Sequence, residues 1–310
     1  MPDEAKLNQP WLVAVWPGMG NVALSAGYYL MAKLDMTFFA DFSTRELFDV
    51  EHVEVKDGLI RPGKMPRSRF FVWRHPQQKR DIVVFIGEAQ PPLGKYAFCR
   101  KLVEFAQKLG VERVFTFAAM ATQMHPEHDS RVFAAATDQE NLEQLRPMDL
   151  TLLEDGQIGG LNGVLLGVAA EAGLHGVCLL GEMPHIFAQL PFPKASQAVL
   201  EVFSRMADVE IDFTELSEQA AAVEEHLGQL LAQVEQQMGR QEAEEEQESF
   251  GVEPREEEGL STDNQRTIEG LFEQTQHDRS KAYELKRELD RLGVFKEYED
   301  RFLNLFRKAE

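Results

Sequence analysis

The chain has 310 residues, 44% of them hydrophobic and 27% charged, which is the composition of a folded globular protein with room for one large domain or two ordinary ones. Its formal net charge of −20 argues against nucleic acid or an anionic membrane surface as the main ligand, because both need clustered lysine and arginine. The first apolar run, Trp11 to Trp16, is broken by Pro17-Gly18 and has no basic cluster before it, so neither a signal peptide nor a membrane-spanning helix is expected.

Short apolar runs alternate with amphipathic stretches through the first 210 residues, the pattern of a sheet covered by helices. Trp11–Trp16 reads as a buried strand, Pro17-Gly18-Met19-Gly20 as a tight turn, and Val22 to Leu34 as a helix. Hairpin structure is expected around Val53–Arg74, with Phe70–Arg74 and Ile82–Ile86 as strands. Tyr96 to Leu109 follows as a helix closed by Gly110. Strands are expected at Val114–Ala118, Val132–Ala136 and Val177–Leu180, and helices at Asn162–Ala172 and Ala195–Met206. The two cysteines, Cys99 and Cys178, lie inside apolar segments and read as reduced core thiols of a cytoplasmic protein. Together these elements predict an α/β fold: a three-layer α/β/α sandwich with a largely parallel sheet.

From Glu215 the character changes. Leu216, Ala220, Val223, Leu227, Leu230 and Val234 recur at heptad spacing along a helix expected to run about 24 residues and to pack on the domain or on a neighbouring subunit. Residues 240–258 hold nine Glu against two Arg, and like charges at that density predict a solvated tether, with an acidic binding arm as the alternative. Beyond it, Ser261-Thr262-Asp263 can cap a helix carrying Ile268, Leu271 and Phe272. A second run carries Leu285, Leu289 and Leu292 and stops at Gly293; a third carries Phe295, Tyr298, Phe302, Leu305 and Phe306. The organisation expected is an α/β/α domain over 1–238, an acidic linker over 239–260 and a helical appendage over 261–310.

In open α/β sheets ligands sit beyond the carboxyl ends of the strands, and four loops are expected there. The first is Gly18-Met19-Gly20-Asn21 and the second Gly87-Glu88-Ala89-Gln90-Pro91-Pro92. The third is Gly159-Gly160-Leu161-Asn162-Gly163 and the fourth Gly181-Glu182-Met183-Pro184. Glycines let the backbone approach a ligand, and free N–H groups at helix starts attract anions. Each feature also has a plain reading as a tight turn or a hydrogen-bonded cap. The full dinucleotide fingerprint and the Walker lysine are absent, as are GxSxG, HExxH and paired-cysteine motifs, so no nucleophile and no cofactor are indicated. His125-Pro126-Glu127-His128-Asp129 holds metal-ligand chemistry, but Pro126 breaks helical spacing and no third ligand is evident, so no metal is assigned.

Read in order, Pro17 to Val22, Gly87 to Pro91 with Tyr96, Gly159 to Gly163 and Cys178 to Glu182 resemble the proteasome assembly chaperone family of the second-subunit type, across about residues 10 to 238. The resemblance implies an α/β/α fold of phosphorylase/hydrolase-like type, self-association as a homo-oligomer such as a trimer, and work with protein partners rather than catalysis. Proteasome-binding members of that family end in a hydrophobic residue, a Tyr and one further residue. This sequence ends Arg307-Lys308-Ala309-Glu310, with Tyr298 twelve residues before its last, so that docking device is not expected. The competing expectation is a binder of, or an enzyme acting on, a small anionic metabolite such as a nucleoside or nucleotide. It would sit at Gly18, Gly20 and Asn21 with Gly159, Gly160 and Asn162, while Glu88 or Glu182 contacts a sugar hydroxyl or a base; Gln90 is a further candidate of the second loop.

Overall fold

A computed structural model of the chain describes residues 6–43, 45–48, 53–63, 65–249, 262–277, 281–292 and 294–305. It divides into two compact units, residues 1–235 and 236–310. The first is built on an eight-stranded sheet in the order β2-β5-β6-β1-β7-β10-β8-β9. Its four central strands, β6 (Ile82–Gly87), β1 (Trp11–Val15), β7 (Arg113–Thr122) and β10 (His175–Pro184), run parallel. On one side β5 (Ser68–Trp73) pairs antiparallel with β6, and β2 (Thr37–Asp41) antiparallel with β5. On the other, β8 (Val132–Ala136) pairs antiparallel with β10 and carries β9 (Thr151–Leu152) at the edge. The parallel part is thus the centre of the sheet, and antiparallel strands close both flanks. A separate hairpin joins β3 (Glu54–Lys56) to β4 (Leu59–Arg61).

Strands buried on both faces carry continuous apolar runs, and WLVAV and IVVFIG are fully buried for that reason. Alternate residues serve opposite layers. Val13, Val15, Val84, Phe115 and Leu179 pack with α1 (Val22–Lys33) and α5 (Pro193–Ala207). Leu12, Ala14, Phe85, Val114 and Cys178 pack with α2 (Lys95–Lys108) and α4 (Gly160–Glu171). Phe42 closes the second face edge-on against Phe70, Phe85 and Phe98. Each fully buried Leu, Val or Phe contributes about 1.5–3 kcal/mol. The architecture is therefore the α/β/α sandwich.

The short helix α3 (Gln139–Leu145) begins at Asp138, whose carboxylate accepts from the Asn141 amide. Helix α6 (Thr214–Ser249) lays Leu216, Val223 and Leu227 into the same layer as α5. It then continues to Ser249, through the first half of the acidic stretch expected to be a tether. Glu, Gln, Ala and Met are strong helix formers, and that propensity carries the helix on. The rest of the expected tether, 250–258, lies outside the described residues, as do Ser261, Gly293 and Phe306.

The second unit contains α7 (Thr262–His277), α8 (Ala282–Arg291) and α9 (Phe295–Asn304), a helical appendage. Ile268, Phe272, Leu285 and Leu289 form its small core. Arg301 covers Phe272 at 4.1 Å while bonding Glu269 with both guanidinium nitrogens. No helix of the described residues is long and apolar enough to cross a membrane.

Candidate functional site

Because β1, β6, β7 and β10 are parallel, their carboxyl ends share one edge of the sheet. The turn after β1 is locked from below. Gly20 sits at φ +60°, and a side chain there would begin 2.8 Å from the Met183 sulfur. Its N–H donates to the Ala188 carbonyl at 2.8 Å, and its own carbonyl accepts from Phe192 N–H at 2.9 Å. Gly20 therefore fastens the turn to the chain after β10. Gly18 and Asn21 are exposed, and the Asn21 side chain makes no capping bond to α1.

Gln90 joins three of the four segments. Its Nε2 donates to the Pro17 carbonyl at 3.1 Å, and its Oε1 accepts from Leu161 N–H, at the start of α4, at 3.1 Å. An amide that both donates and accepts can bridge a loop and a helix start in this way. Gly160 takes φ +68° directly against that Oε1. Glu88 faces β5 instead: its carboxylate accepts from Arg69 Nη2 at 2.6 Å and from the Arg67 amide at 3.0 Å.

Glu182 is not in a loop. It lies within β10, which continues in register with β7 as far as Pro184 and Thr122. Its side chain is only 2% exposed and is clasped by Arg131, Nε to Oε2 at 2.7 Å and Nη2 to Oε1 at 2.6 Å. Thr122 Oγ1 donates a third bond at 2.7 Å. The Arg131 hydrogen bonds hold its carboxyl below the usual carboxylate range against the opposing effect of burial. The pair pins β8 to β10, and Arg131 was not a sequence candidate.

Between the first turn and the start of α4 lies a cleft of about 450 Å³, bordered by Trp16, Gly18, Met120, Ile158, Gly159 and Asn162. Trp16 Nε1 and Asn162 Oδ1 are both buried without a hydrogen-bond partner. Small residues of β7, Ala118, Ala119 and Ala121, line it with Leu180. Such walls suit an apolar group. Of the residues read as candidates, Gly18, Gly159 and Asn162 border the cleft, Gln90 and Gly160 meet beside it, and Glu88 and Glu182 are held in ion pairs. The segment from His125 to Asp129 forms a turn in which His125 Nδ1 accepts from Glu127 N–H at 3.3 Å. Among the described residues no group of three or more His, Cys, Asp or Glu side chains could hold a metal ion.

The sequence pattern of the PAC2 family matches residues 12–231, which is most of this chain and includes every strand of the large sheet except the first residue of β1. The chain belongs to the PAC2 family. The uncharacterized protein MJ1210 from Methanocaldococcus jannaschii is 27% identical over 231 residues, 74% of this chain and 85% of its own. Pyrococcus furiosus PbaB, an archaeal proteasome activator, superposes with a TM-score of 0.63 at 26% identity, covering 75% of this chain and 96% of PbaB. A PAC2 family protein from Streptomyces avermitilis gives 0.62 at 28% identity, over 71% and 95%. The PAC2 match ends inside α6, so α7 to α9 lie outside it.

Proposed function

We propose that this chain is a self-associating protein-assembly factor of the cytoplasm that acts by binding protein surfaces and performs no chemistry of its own. What carries the reading is the cleft at the carboxyl edge. It is walled by alanine, methionine, leucine and isoleucine, and the two nearby carboxylates are held by arginines rather than facing into it. That setting receives an apolar side chain of a partner, in the way buried pockets anchor interface residues. The likeness to a proteasome activator points to assembly or activation of a multisubunit partner. The amides expected to grip an anion are occupied: Gly20 N–H by Ala188 and Leu161 N–H by Gln90.

Self-association is supported by the β3–β4 hairpin, where Val55 and Ile60 face each other across the strands at 68% and 74% exposure. A cross-strand apolar pair this open marks a contact surface. We take the occupant to be a second copy of the chain, in a closed ring such as the trimer. The buried thiols, Cys99 pushed up to about 12 and Cys178 to about 11 by burial, fit a reducing compartment.

The test is affinity purification from the native cell of the full chain and of a form lacking residues 240–310, compared with a Met120→Arg variant that fills the cleft. A defined protein recovered with the full chain and lost with M120R supports the proposal. Recovery of the bait alone in every form contradicts it.

A further inference from the structure

The opposite edge of the sheet, where the strands begin, holds a second depression of about 590 Å³. Trp11, Arg113 and His175 are the first residues of β1, β7 and β10, and they stand side by side in register. Parallel neighbours in register send their side chains to the same face, so an indole, a guanidinium and an imidazole share one floor. Arg80, just before β6, lies over the Trp11 ring at 3.8 Å, and Arg113 lies at 4.5 Å from it.

These two guanidiniums are unusual in what they lack. Arg113 is 6% exposed, yet only its Nη1 has a partner, Gln144 Oε1 at 2.8 Å; its Nε is buried and unbonded. Arg80 Nε is likewise buried and unbonded; among the described residues neither arginine forms an ion pair, the carboxylates of Glu112, Glu140 and Asp138 acting only from a distance. Burial lowers the affinity of both for their proton and the Arg80 charge adds to that at Arg113, against a smaller opposing pull from Glu112 on both and from Glu140 and Asp138 on Arg113. Buried guanidiniums ordinarily meet a carboxylate or phosphate through paired N–H donors. The Nε atoms are closed off from the depression, but Arg80 Nη1 and Nη2 and Arg113 Nη2 carry no hydrogen bond among the described residues and are not enclosed, so these terminal donors face an entering group with the aromatic ring already fixing their planes. His175 is held from behind, its Nδ1 at 3.0 Å from Asp138 Oδ2, which leaves Nε2 as its remaining polar atom. Exposed Glu112 and Glu140 stand at the border and would repel highly charged anions.

We propose that this depression is a binding site for an oxyanion group, carboxylate or phosphate, of a small solute, with Arg80 and Arg113 as its ligating residues. The site lies at the strand amino ends, away from the cleft assigned to protein binding, and stands or falls independently of it.

The experiment is a titration of the full chain, labelled with 15N-arginine, with sodium acetate, sodium phosphate and sodium chloride at constant ionic strength, following the Nε–Hε resonances. The expected result is saturable movement of two arginine resonances, identified by their disappearance in Arg80→Gln and Arg113→Lys, with acetate or phosphate and not with chloride. Which oxyanion acts distinguishes carboxylate from phosphate as the recognised group. R80Q should weaken the response at least tenfold, and Glu140→Gln should strengthen it severalfold. If R113K does not fold, the half-buried Arg80 still carries the test. Equal movement with chloride, movement of many arginines together, no movement, or undiminished binding in R80Q would each overturn the proposal.

Discussion

Replacing Arg131 by Met removes both charged hydrogen bonds to Glu182 and leaves a 2% exposed carboxylate with the Thr122 hydroxyl as its only side-chain partner among the described residues. Removing one partner of a buried pair costs about 3–5 kcal/mol, whereas an exposed pair contributes about 0–1 kcal/mol. Here the carboxylate is buried but Arg131 is 64% exposed, so water can enter once the guanidinium is gone. We expect about 2 kcal/mol, intermediate between those limits. For a unit of this size that is a fall of about 4–8 °C in melting temperature. The pH dependence gives a sharper check. In the native chain Glu182 has a lowered pKa, so its stabilisation is fully present above the unfolded value of about 4.3 and fades as pH falls through the folded one. In Arg131→Met, burial is opposed only by the Thr122 hydroxyl and the backbone amide of residue 131, so the pKa rises from its native position, and the penalty present at neutral pH is relieved as the carboxyl protonates. Urea denaturation at pH 7 and pH 4 should therefore show the gap between the two proteins narrowing on acidification. Adding Glu182→Gln to R131M should recover part of the loss at pH 7. A gap below about 0.5 kcal/mol at pH 7, or one that does not change with pH, would refute the reasoning.

Three further outcomes are expected. Gln90→Ala strips the Leu161 N–H and the Pro17 carbonyl of their partner, a loss of about 1–3 kcal/mol, and hydrogen exchange at the Leu161 amide should accelerate while the α5 amides are unchanged. Gly20→Ala forces a side chain into left-handed backbone and against Met183, so a destabilisation of at least about 1 kcal/mol should appear in denaturant titration. Val55→Asp with Ile60→Asp, both exposed, should leave the melting temperature nearly unchanged yet lower the sedimentation coefficient; an unchanged coefficient would remove the hairpin from the interface.

The central strands were legible because parallel strands covered on both faces cannot avoid continuous apolar runs, and Trp11–Val15 and Ile82–Gly87 are such runs. The edge strands Thr37–Asp41 and Thr151–Leu152 were missed: they are short and partly exposed, so no such run marks them. Gly181-Glu182 read as punctuation after a strand, because a glycine and a charge normally end one. The strand continues since Glu182 is neutralised by Arg131, 51 residues away in sequence, and no local pattern announces that distance. The gathering of Pro17, Gln90 and Leu161 was foreshadowed by three glycine-bearing turns after strands, but the side chain that joins them was not. The reach of α6 to Ser249 shows helix propensity overriding a charge run that looked like coil.

Light scattering coupled to size-exclusion chromatography of the full chain, across a hundredfold range of concentration, tests the assembly reading most directly. A constant mass of three protomers, or another closed multiple, is the predicted result. A single-chain mass at every concentration would contradict it.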